Sequence, residues 1–225
     1  MSKKPKRKNL KLPRKCIFCE GGGTQNNPMT EEHIWSEWMH PYLPKIPNAK
    51  KSEVYELLRM NAWVTQTRKK PQQGHVYTKT IKAVCKNCNE TWMRSIEENI
   101  KPILIPLLRG QPFTLRQKEK IKLATWLTLK VLVEEQEYPA EAVVQQQTRT
   151  EFMKSRKIPE ETKIWIGIHD TDHWYTGLWH RTLTATLGPT PPITGRLKNI
   201  QSTAFGIGHV FSLTILTRVC TQIST

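Results

Sequence analysis

The sequence predicts an α+β protein, and three observations carry that prediction. Two C-x-x-C pairs, at 16–19 and 85–88, mark the first half of the chain. A broad apolar surface repeats with helical spacing over 114–135, which predicts one long helix. The C-terminal part instead contains β-branched and aromatic runs, which are typical of a small antiparallel sheet. These runs cover 162–169, 174–187 and 202–219.

Length and composition limit the class of protein. The chain has 225 residues, 37% of them hydrophobic and 24% charged. These values are typical of a folded globular protein with one larger domain or two small ones. No apolar run approaches the ~20 residues of a membrane helix, and the N-terminus lacks the apolar stretch of a secretory signal. We therefore expect a protein without a membrane span in a reducing compartment, the cytoplasm of a bacterial or phage-infected cell, or a nucleus if the host is eukaryotic.

The charge favours a polyanionic partner. Lys and Arg number 35 against 19 Asp and Glu, which gives a net charge of +16. Eight of these basic residues lie in 1–15, a segment without acids that we predict to be a disordered tail. The tail can act as a phosphate-binding arm, a nuclear localisation signal or a solubilising extension. A field of this sign concentrates nucleic acid, and acidic membranes or proteins are the alternative partners.

The cysteine spacing predicts a structural zinc site. Two C-x-x-C pairs, Cys16 with Cys19 and Cys85 with Cys88, can supply four thiolates in a tetrahedron and leave no ligand position open. Such ligation contributes on the order of 10 kcal/mol to folding. Four unrelated buried thiols or redox pairs are the alternatives. The fifth cysteine, Cys220, lies in an apolar run and is predicted to be buried.

Local patterns predict the elements around these pairs. Runs at 62–69 and 75–84, separated by a Pro- and Gly-containing turn, predict a β-hairpin that leads into the second cysteine pair. Residues 89–100 have a helical pattern that Pro102 and Pro106 should kink or end. Thr114 is the predicted N-cap of the long helix.

The residues with catalytic potential lie beside the cysteine pairs. Glu31, Glu32 and His33 follow the first pair, and Asn89 directly follows the second. Closing the zinc site should bring a carboxylate, an imidazole and an amide together. This set suits phosphodiester hydrolysis, in which an imidazole deprotonates water and oxygen ligands hold Mg²⁺. In the alternative interpretation the histidine is structural, Asn89 caps a helix and the two acids are surface charges.

The order of these motifs resembles a known family. Cys-x-x-Cys, an acid-His pair and Cys-x-x-Cys-Asn before a helix resemble the zinc-containing, four-cysteine branch of the HNH, or ββα-metal, endonucleases. The layout is similar to that of phage recombination endonuclease VII. The resemblance covers 16–97, with a weaker likeness to about 135. The motifs read Glu32-His33-Ile34 and Cys88-Asn89-Glu90-Thr91-Trp92-Met93, followed by Glu97.

The resemblance implies roles for individual residues. His33 would be the general base, and Glu32 and Asn89 would hold a catalytic Mg or Mn ion. The four cysteines would hold the structural zinc. The chain departs from the family in having Glu32 where Asp is commoner and Met93 where many members have His or Lys. Glu97 is a possible further metal ligand, with a helix-surface carboxylate as the alternative.

One further departure concerns the rest of the site. The family's middle Asn, which orients the base, has no clear counterpart, Asn61 being the nearest candidate. The predicted organisation is a tail (1–15), a zinc-stapled ββα-metal (HNH) core (16–110), and an accessory region with a helix and a small antiparallel sheet (111–225).

We expect this organisation to serve a metal-dependent endonuclease of double-stranded or branched DNA. Such an enzyme would suit phage or bacterial defence programmes, with Arg68, Lys69 and Lys70 among its phosphate contacts and a homodimer as a possible state. A non-catalytic DNA-binding zinc protein on a nuclease scaffold is the alternative. A zinc protein with an acidic protein partner is a third interpretation, and RNA remains open as a substrate.

Overall fold

The computed structural model describes most of the chain and is mixed α+β. Described residues are 15–43, 45, 50–51, 54–59, 62–67, 72–169, 176–184 and 198–218, with the backbone alone in the strand segments between 50 and 73. Residues 1–14 of the basic tail, Asn61, the basic run 68–70 and Cys220 lie outside the described residues. Predictions made for them stay predictions.

Helices and strands alternate irregularly along the chain. The α-helices are α1 (Lys86–Cys88), α2 (Arg94–Leu108), α3 (Gln117–Glu134) and α4 (Gln146–Ser155). A π-helical turn, Asn89–Met93, joins α1 to α2. Short 3-10 helices cover Glu37–Tyr42, Val76–Thr78, Glu135–Glu137 and Pro139–Glu141. The strands are β1 (Met29–His33), β2 (Lys50–Lys51), β3 (Val54–Arg59), β4 (Ala62–Thr67), β5 (Gln72–Gln73), β6 (Thr80–Cys85), β7 (Thr162–Ile168), β8 (Thr176–Leu183), β9 (Ile200–Ile207) and β10 (Val210–Thr217).

An antiparallel strand pair followed by a helix forms the N-terminal part. β1 pairs with β6 from Met29 opposite Cys85 to His33 opposite Thr80, with an irregularity between Thr30 and Glu32. β6 then runs directly into α1. Strand β6 and the helix that follows it are therefore continuous through the second cysteine pair.

The predicted hairpin of 62–69 with 75–84 is wrong. Residues 62–67 pair with 54–59, and 80–85 pair with β1, about fifty residues earlier in the chain. The turn signal at 70–74 was local, whereas β6 is buried along most of its length and needs a partner that shares its core. The pairing was decided by burial rather than by proximity in sequence.

The helix after the second cysteine pair passes through both prolines. Pro102 and Pro106 lie inside α2, which ends only at Leu108, so the prolines do not end it. Each proline removes a helical N–H donor, but α2 buries one apolar face that keeps it packed. Gly110, at φ +67°, then closes the helix with its N–H on the Leu107 carbonyl at 3.0 Å.

Helix α3 is the central helix of the molecule. It begins at Gln117 with Arg116 at the N-cap, so the prediction of Thr114 as the cap is wrong. From residue 125 to its end every side chain of α3 is buried, since α2, β6 and β10 all pack against it. This half of α3 is buried on all sides although it contains polar residues, so those residues need partners inside the protein. They are Thr125, Thr128, Lys130 and Glu134.

The small antiparallel C-terminal sheet is confirmed. Its order is β7-β10-β9-β8, with all neighbours antiparallel. The run 202–219 contributes to two strands, β9 and β10, because Gly208 at φ +53° makes the tight turn between them. The inner face carries Phe205, Ile207 and Leu216 into the core.

In the described part of the chain, no helix has both the length and the apolar character needed to cross a bilayer.

A partly buried histidine on β8 gives the fold a pH dependence. Burial, together with the positive charge of Lys79, lowers the pKa of His180 to about 4, while its Nδ1 lies 2.8 Å from the Thr203 hydroxyl. The folded state therefore binds this proton less readily than the unfolded chain does, whose histidine titrates near ~6.5. The stability that neutral His180 retains at pH 7 is lost as the pH falls towards 4.

We expect the free energy of unfolding to fall by about 2 kcal/mol between pH 7 and pH 5 through this group. Urea titrations of the wild type and of His180→Gln at both pH values measure it. The loss should be smaller by that amount in His180→Gln and unchanged in His75→Gln, which replaces a histidine in a surface turn. An equal loss in all three proteins would contradict the assignment.

Candidate metal centre and active site

Four cysteine thiols meet at the junction of the N-terminal elements. Cys16 and Cys19 lie in the turn before β1, Cys85 ends β6 and Cys88 ends α1. Their sulfur atoms lie within 4.8 Å of one another, and those of Cys19 and Cys85 are 3.7 Å apart. A tetrahedron with Zn–S bonds of about 2.3 Å has sulfur–sulfur edges of about 3.8 Å. The four thiols could therefore hold a metal such as zinc.

The glycine-rich turn after the first pair makes this approach possible. A Cβ on Gly22 would lie 2.5 Å from the Cys85 Cβ, and Gly22 has a φ of +88°. Only glycine satisfies both conditions without strain. The first pair is also fixed to the sheet, because the Ile17 N–H donates to the Ala83 carbonyl at 3.1 Å.

The protonation of the four thiols suits a metal ligand set. A hydrogen bond from Cys88 lowers the pKa of Cys16 to about 4, while the same contact and burial raise the pKa of Cys88. Burial also raises the pKa of Cys19. In the metal-free cluster one thiolate is thus stabilised by its protonated neighbours. Zinc requires deprotonated thiols, so its binding releases the remaining protons.

His33, the predicted base, lies at the end of β1 with its two ring nitrogens in different surroundings. Nε2 is 3.1 Å from a carboxylate oxygen of Glu37, an exposed side chain one turn further along. Nδ1 is buried and has no hydrogen-bond partner. A carboxylate only accepts hydrogen bonds, so in neutral His33 the hydrogen belongs on Nε2 and the lone pair on Nδ1. The histidine has the form that a general base requires.

Glu32 points into the protein and meets Lys130 of α3. The Lys130 Nζ donates to Glu32 at 2.7 Å, to Glu97 at 2.7 Å and to the His33 carbonyl at 2.8 Å. Lys130 is fully buried and uses all three of its donors in this way. Burial alone would raise the pKa of Glu97, but the Lys130 ammonium outweighs it and holds that pKa below its usual range.

Asn89 lies against β1 from the helical side. Its Nδ2 donates to the Thr30 hydroxyl at 3.2 Å, and that hydroxyl donates to the Val84 carbonyl. Among the described residues nothing bonds the Asn89 Oδ1 or the second carboxylate oxygen, Oε2, of Glu32. Thr30 and Glu32 alternate onto one face of the strand, so two unengaged oxygens share that face.

The structure brings together only part of the predicted site. Glu32 and Glu97 meet through Lys130, and Asn89 contacts the same strand near them. His33 follows Glu32 directly and therefore points to the opposite face, where Glu37 and His40 lie. Among the described residues, the four cysteines are the one group of three or more Cys, His, Asp or Glu close enough to hold a metal.

Glu97 is not the helix-surface carboxylate of the alternative interpretation. Its carboxylate is buried and accepts from the indole nitrogens of Trp38 at 2.8 Å and Trp126 at 3.0 Å as well as from Lys130. A surface carboxylate is therefore excluded. The π-helical turn Asn89–Met93 also gives Asn89 and Glu97 a different angular spacing from that of a regular α-helix.

Two residues of the site were missed by the sequence analysis. Lys130 stands in a run of buried apolar residues of α3, and a lysine in such a run signals a buried carboxylate partner. Glu37 lies four residues after His33, the spacing at which a helix brings side chains together. Neither of these two sequence patterns shows by itself which side chain is the partner.

Glu31, the acid next to Glu32, is exposed on β1.

Comparison of the chain with protein-family models, with curated proteins and with solved structures found no match. Functional assignment therefore depends on the residues and their geometry.

Loss of one cysteine ligand should remove the metal and unfold the chain. We expect a single zinc ion per chain in the wild type and none in Cys85→Ser, with loss of folding energy on the order of 10 kcal/mol. Metal analysis by mass spectrometry and thermal unfolding by circular dichroism measure both effects. Cys220→Ser is the matched control and should keep its zinc. Full zinc occupancy and normal stability of Cys85→Ser would contradict the site.

Removing the buried ammonium should leave two buried carboxylates without a counter-charge. We expect Lys130→Met to lower the free energy of unfolding by about 3–5 kcal/mol, measured by urea unfolding at pH 7. Lys122→Met, on an exposed position of the same helix, is the control and should change it by less than about 0.5 kcal/mol. Equal effects of both substitutions would disprove the role of the ion-pair cluster.

Proposed function

We propose that the chain is a metal-dependent endonuclease of the HNH, ββα-metal type, with His33 as its general base. The observation that carries this proposal is the state of the His33 ring. Glu37 engages Nε2 at 3.1 Å, while Nδ1 is buried with no partner. The strand pair, the cysteine cluster and the helix that follows agree with such a core.

The proposed chemistry begins at His33 Nδ1. Because Nδ1 is buried in the structure, the step requires that substrate binding admit a water to it. Nδ1 would then take a proton from that water, whose oxygen attacks phosphorus as a hydroxide. The imidazolium that forms is stabilised by the Glu37 carboxylate, which also keeps the ring from rotating. Because Glu37 is exposed, its electrostatic contribution is small and its role is mainly to fix the tautomer.

A second metal ion would be held by Glu32 and Asn89, whose side chains lie on the other face of β1 from the His33 ring. Their unengaged oxygens, Oε2 and Oδ1, are hard ligands of the kind that Mg²⁺ and Mn²⁺ bind. When bound, such an ion neutralises charge on the phosphate and on the leaving oxygen. Lys130 holds the other Glu32 oxygen at 2.7 Å and so fixes the orientation of the carboxylate.

The substrate class follows from charge. A net charge of +16 favours binding to a nucleic-acid backbone through contacts that carry little sequence information. Double-stranded or branched DNA is the proposed substrate, and the site chemistry accepts RNA equally. Cleavage and binding should both weaken steeply as salt rises.

A second candidate function is a non-catalytic nucleic-acid-binding protein on the same scaffold. The observation that favours it is Lys130, whose ammonium already lies between Glu32 and Glu97 and neutralises both carboxylates in part. A cation provided by the chain itself reduces the need for a metal ion at this place. This candidate predicts salt-sensitive binding without cleavage.

The two candidates are separated by nicking of supercoiled plasmid in Mg²⁺ and in Mn²⁺. We expect the wild type to nick the plasmid and His33→Ala to be slower by about 10²- to 10⁴-fold, which is the usual contribution of a general base. His209→Ala makes the same change on the C-terminal sheet and should retain full activity. Metal analysis first confirms that all three proteins carry zinc.

Equal nicking by His33→Ala and the wild type would mean that another group is the base. An absence of nicking in every protein on plasmid, branched DNA and RNA, with binding retained, would support the non-catalytic scaffold.

A further inference from the structure

Helix α4 of the C-terminal half packs against the turn that holds the first cysteine pair. The Gln146 side-chain amide donates to the Ile17 carbonyl at 2.8 Å, and the Thr150 hydroxyl donates to the Phe18 carbonyl at 3.1 Å. These carbonyls belong to the two residues that separate the cysteines of that pair. Because the two donors are one helical turn apart, a single face of α4 holds this stretch of backbone in place.

The side chain of Trp92 lies between α4 and the cysteines. Its ring packs edge-on against Phe18, with centroids 4.9 Å apart, and against Phe152 of α4, with centroids 6.1 Å apart. Its indole nitrogen is buried and has no hydrogen-bond partner of ordinary geometry within the described part of the chain. Hydrogen bonding to Cys16 and burial raise the pKa of Cys88, and the Trp92 N–H opposes that rise. The indole N–H therefore lies beside the Cys88 sulfur.

A guanidinium group lies over the same indole. The Arg156 Cζ is 4.2 Å from the centroid of the Trp92 ring, a distance at which a cation is attracted to the ring face. Arg156 caps the C-terminus of α4, and its Nη1 donates to the Phe152 carbonyl at 3.4 Å. Burial lowers the pKa of Arg156, and the negative charge of the Cys88 thiolate offsets part of this effect. The guanidinium is therefore within electrostatic reach of the cysteine cluster.

The charge of a metal bound by four thiolates gives these contacts a purpose. Four thiolates around one divalent ion carry a net charge of about −2, which is unfavourable in a largely buried cluster. An N–H donor and a cation next to the sulfurs stabilise that charge, as outer-shell groups do at other metal sites. Lys86 follows Cys85 directly, but it is exposed and lies 4.0 Å from the Glu90 carboxylate, which already offsets its charge. Arg156 is instead held against the cluster by Trp92.

We propose that Arg156 and Trp92 form an outer shell of the four-cysteine metal centre, so that α4 of the C-terminal half determines how tightly the metal is held. The metal is a divalent ion that prefers thiolates, such as zinc. Arg156 and Trp92 are positioning residues, because neither side chain binds the ion itself. The inference depends on metal binding by the cysteines and not on catalysis at His33, so it applies to both candidate functions.

The first test is the Zn²⁺ affinity of the full chain, measured by competition with a chromophoric chelator. We expect Arg156→Gln to weaken Zn²⁺ binding about tenfold, and Trp92→Phe, which keeps an aromatic ring but loses the N–H, to weaken it by a similar factor. Arg156→Lys keeps the charge without the planar group and should restore part of the affinity. Lys154→Gln is the matched control, because it removes the same charge from an exposed position of α4. It should bind Zn²⁺ like the wild type.

A spectroscopic measurement separates an outer-shell role from a merely structural one. Co²⁺ can replace Zn²⁺ among thiolates, and its thiolate-to-metal charge-transfer band reports the energy of the sulfur lone pairs. An N–H donor and a cation stabilise those lone pairs, so their removal should lower the energy of the band. We expect the band to move to longer wavelength in Arg156→Gln and in Trp92→Phe, and to keep its position in Lys154→Gln.

Three outcomes would overturn the proposal. In the first, Arg156→Gln and Trp92→Phe bind Zn²⁺ as tightly as the wild type. In the second, they bind it more weakly but leave the cobalt band unmoved, which would mean that α4 only packs against the cysteine turn. In the third, Lys154→Gln weakens binding as much as Arg156→Gln does, which would make the effect one of overall charge. Plasmid nicking is measured separately, so any of these results leaves the His33 proposal standing.

Discussion

The relative positions of the N-terminal strands and helix depend on four cysteine thiols. These thiols come from two segments of the chain that are 66 residues apart. Cys85 ends β6 and Cys88 ends α1, so a metal bound there fixes the junction between strand and helix. The same junction places Asn89 against β1. Phe18, between the first two cysteines, packs edge-on against Trp92 at 4.9 Å between ring centroids. Metal ligation would thus reinforce the arrangement that this apolar packing favours.

The second constraint is the buried ammonium of Lys130, which ties the strand pair to the central helix. It connects β1 through Glu32, α2 through Glu97 and its own helix α3. A buried charge with all its donors satisfied tolerates only one packing of these elements. The apolar core then continues from Cys16 through α3 to Leu216 on the C-terminal sheet. The accessory region thereby shares one core with the cysteine-containing half.

The features that could be predicted from the sequence are those that a local residue pattern determines. The cysteine spacing predicted the cluster, and the β-branched runs predicted the C-terminal sheet. The partner of β6 was mispredicted, because a turn signal at 70–74 says nothing about a strand fifty residues earlier. Lys130 was missed for a similar reason. Its carboxylate partners are 98 and 33 residues away in sequence, and only packing brings them together.

The central claim is that Glu32 and Asn89 hold a divalent ion, and crystallography with anomalous scattering tests it most directly. Crystals of the zinc-loaded protein would be soaked in Mn²⁺, and data collected at the manganese and zinc absorption edges. The account predicts a manganese peak in contact with Glu32 and Asn89, apart from a zinc peak among the four cysteines. A zinc peak alone, with Lys130 still bonded to both carboxylates and no manganese at Glu32 and Asn89, would contradict it.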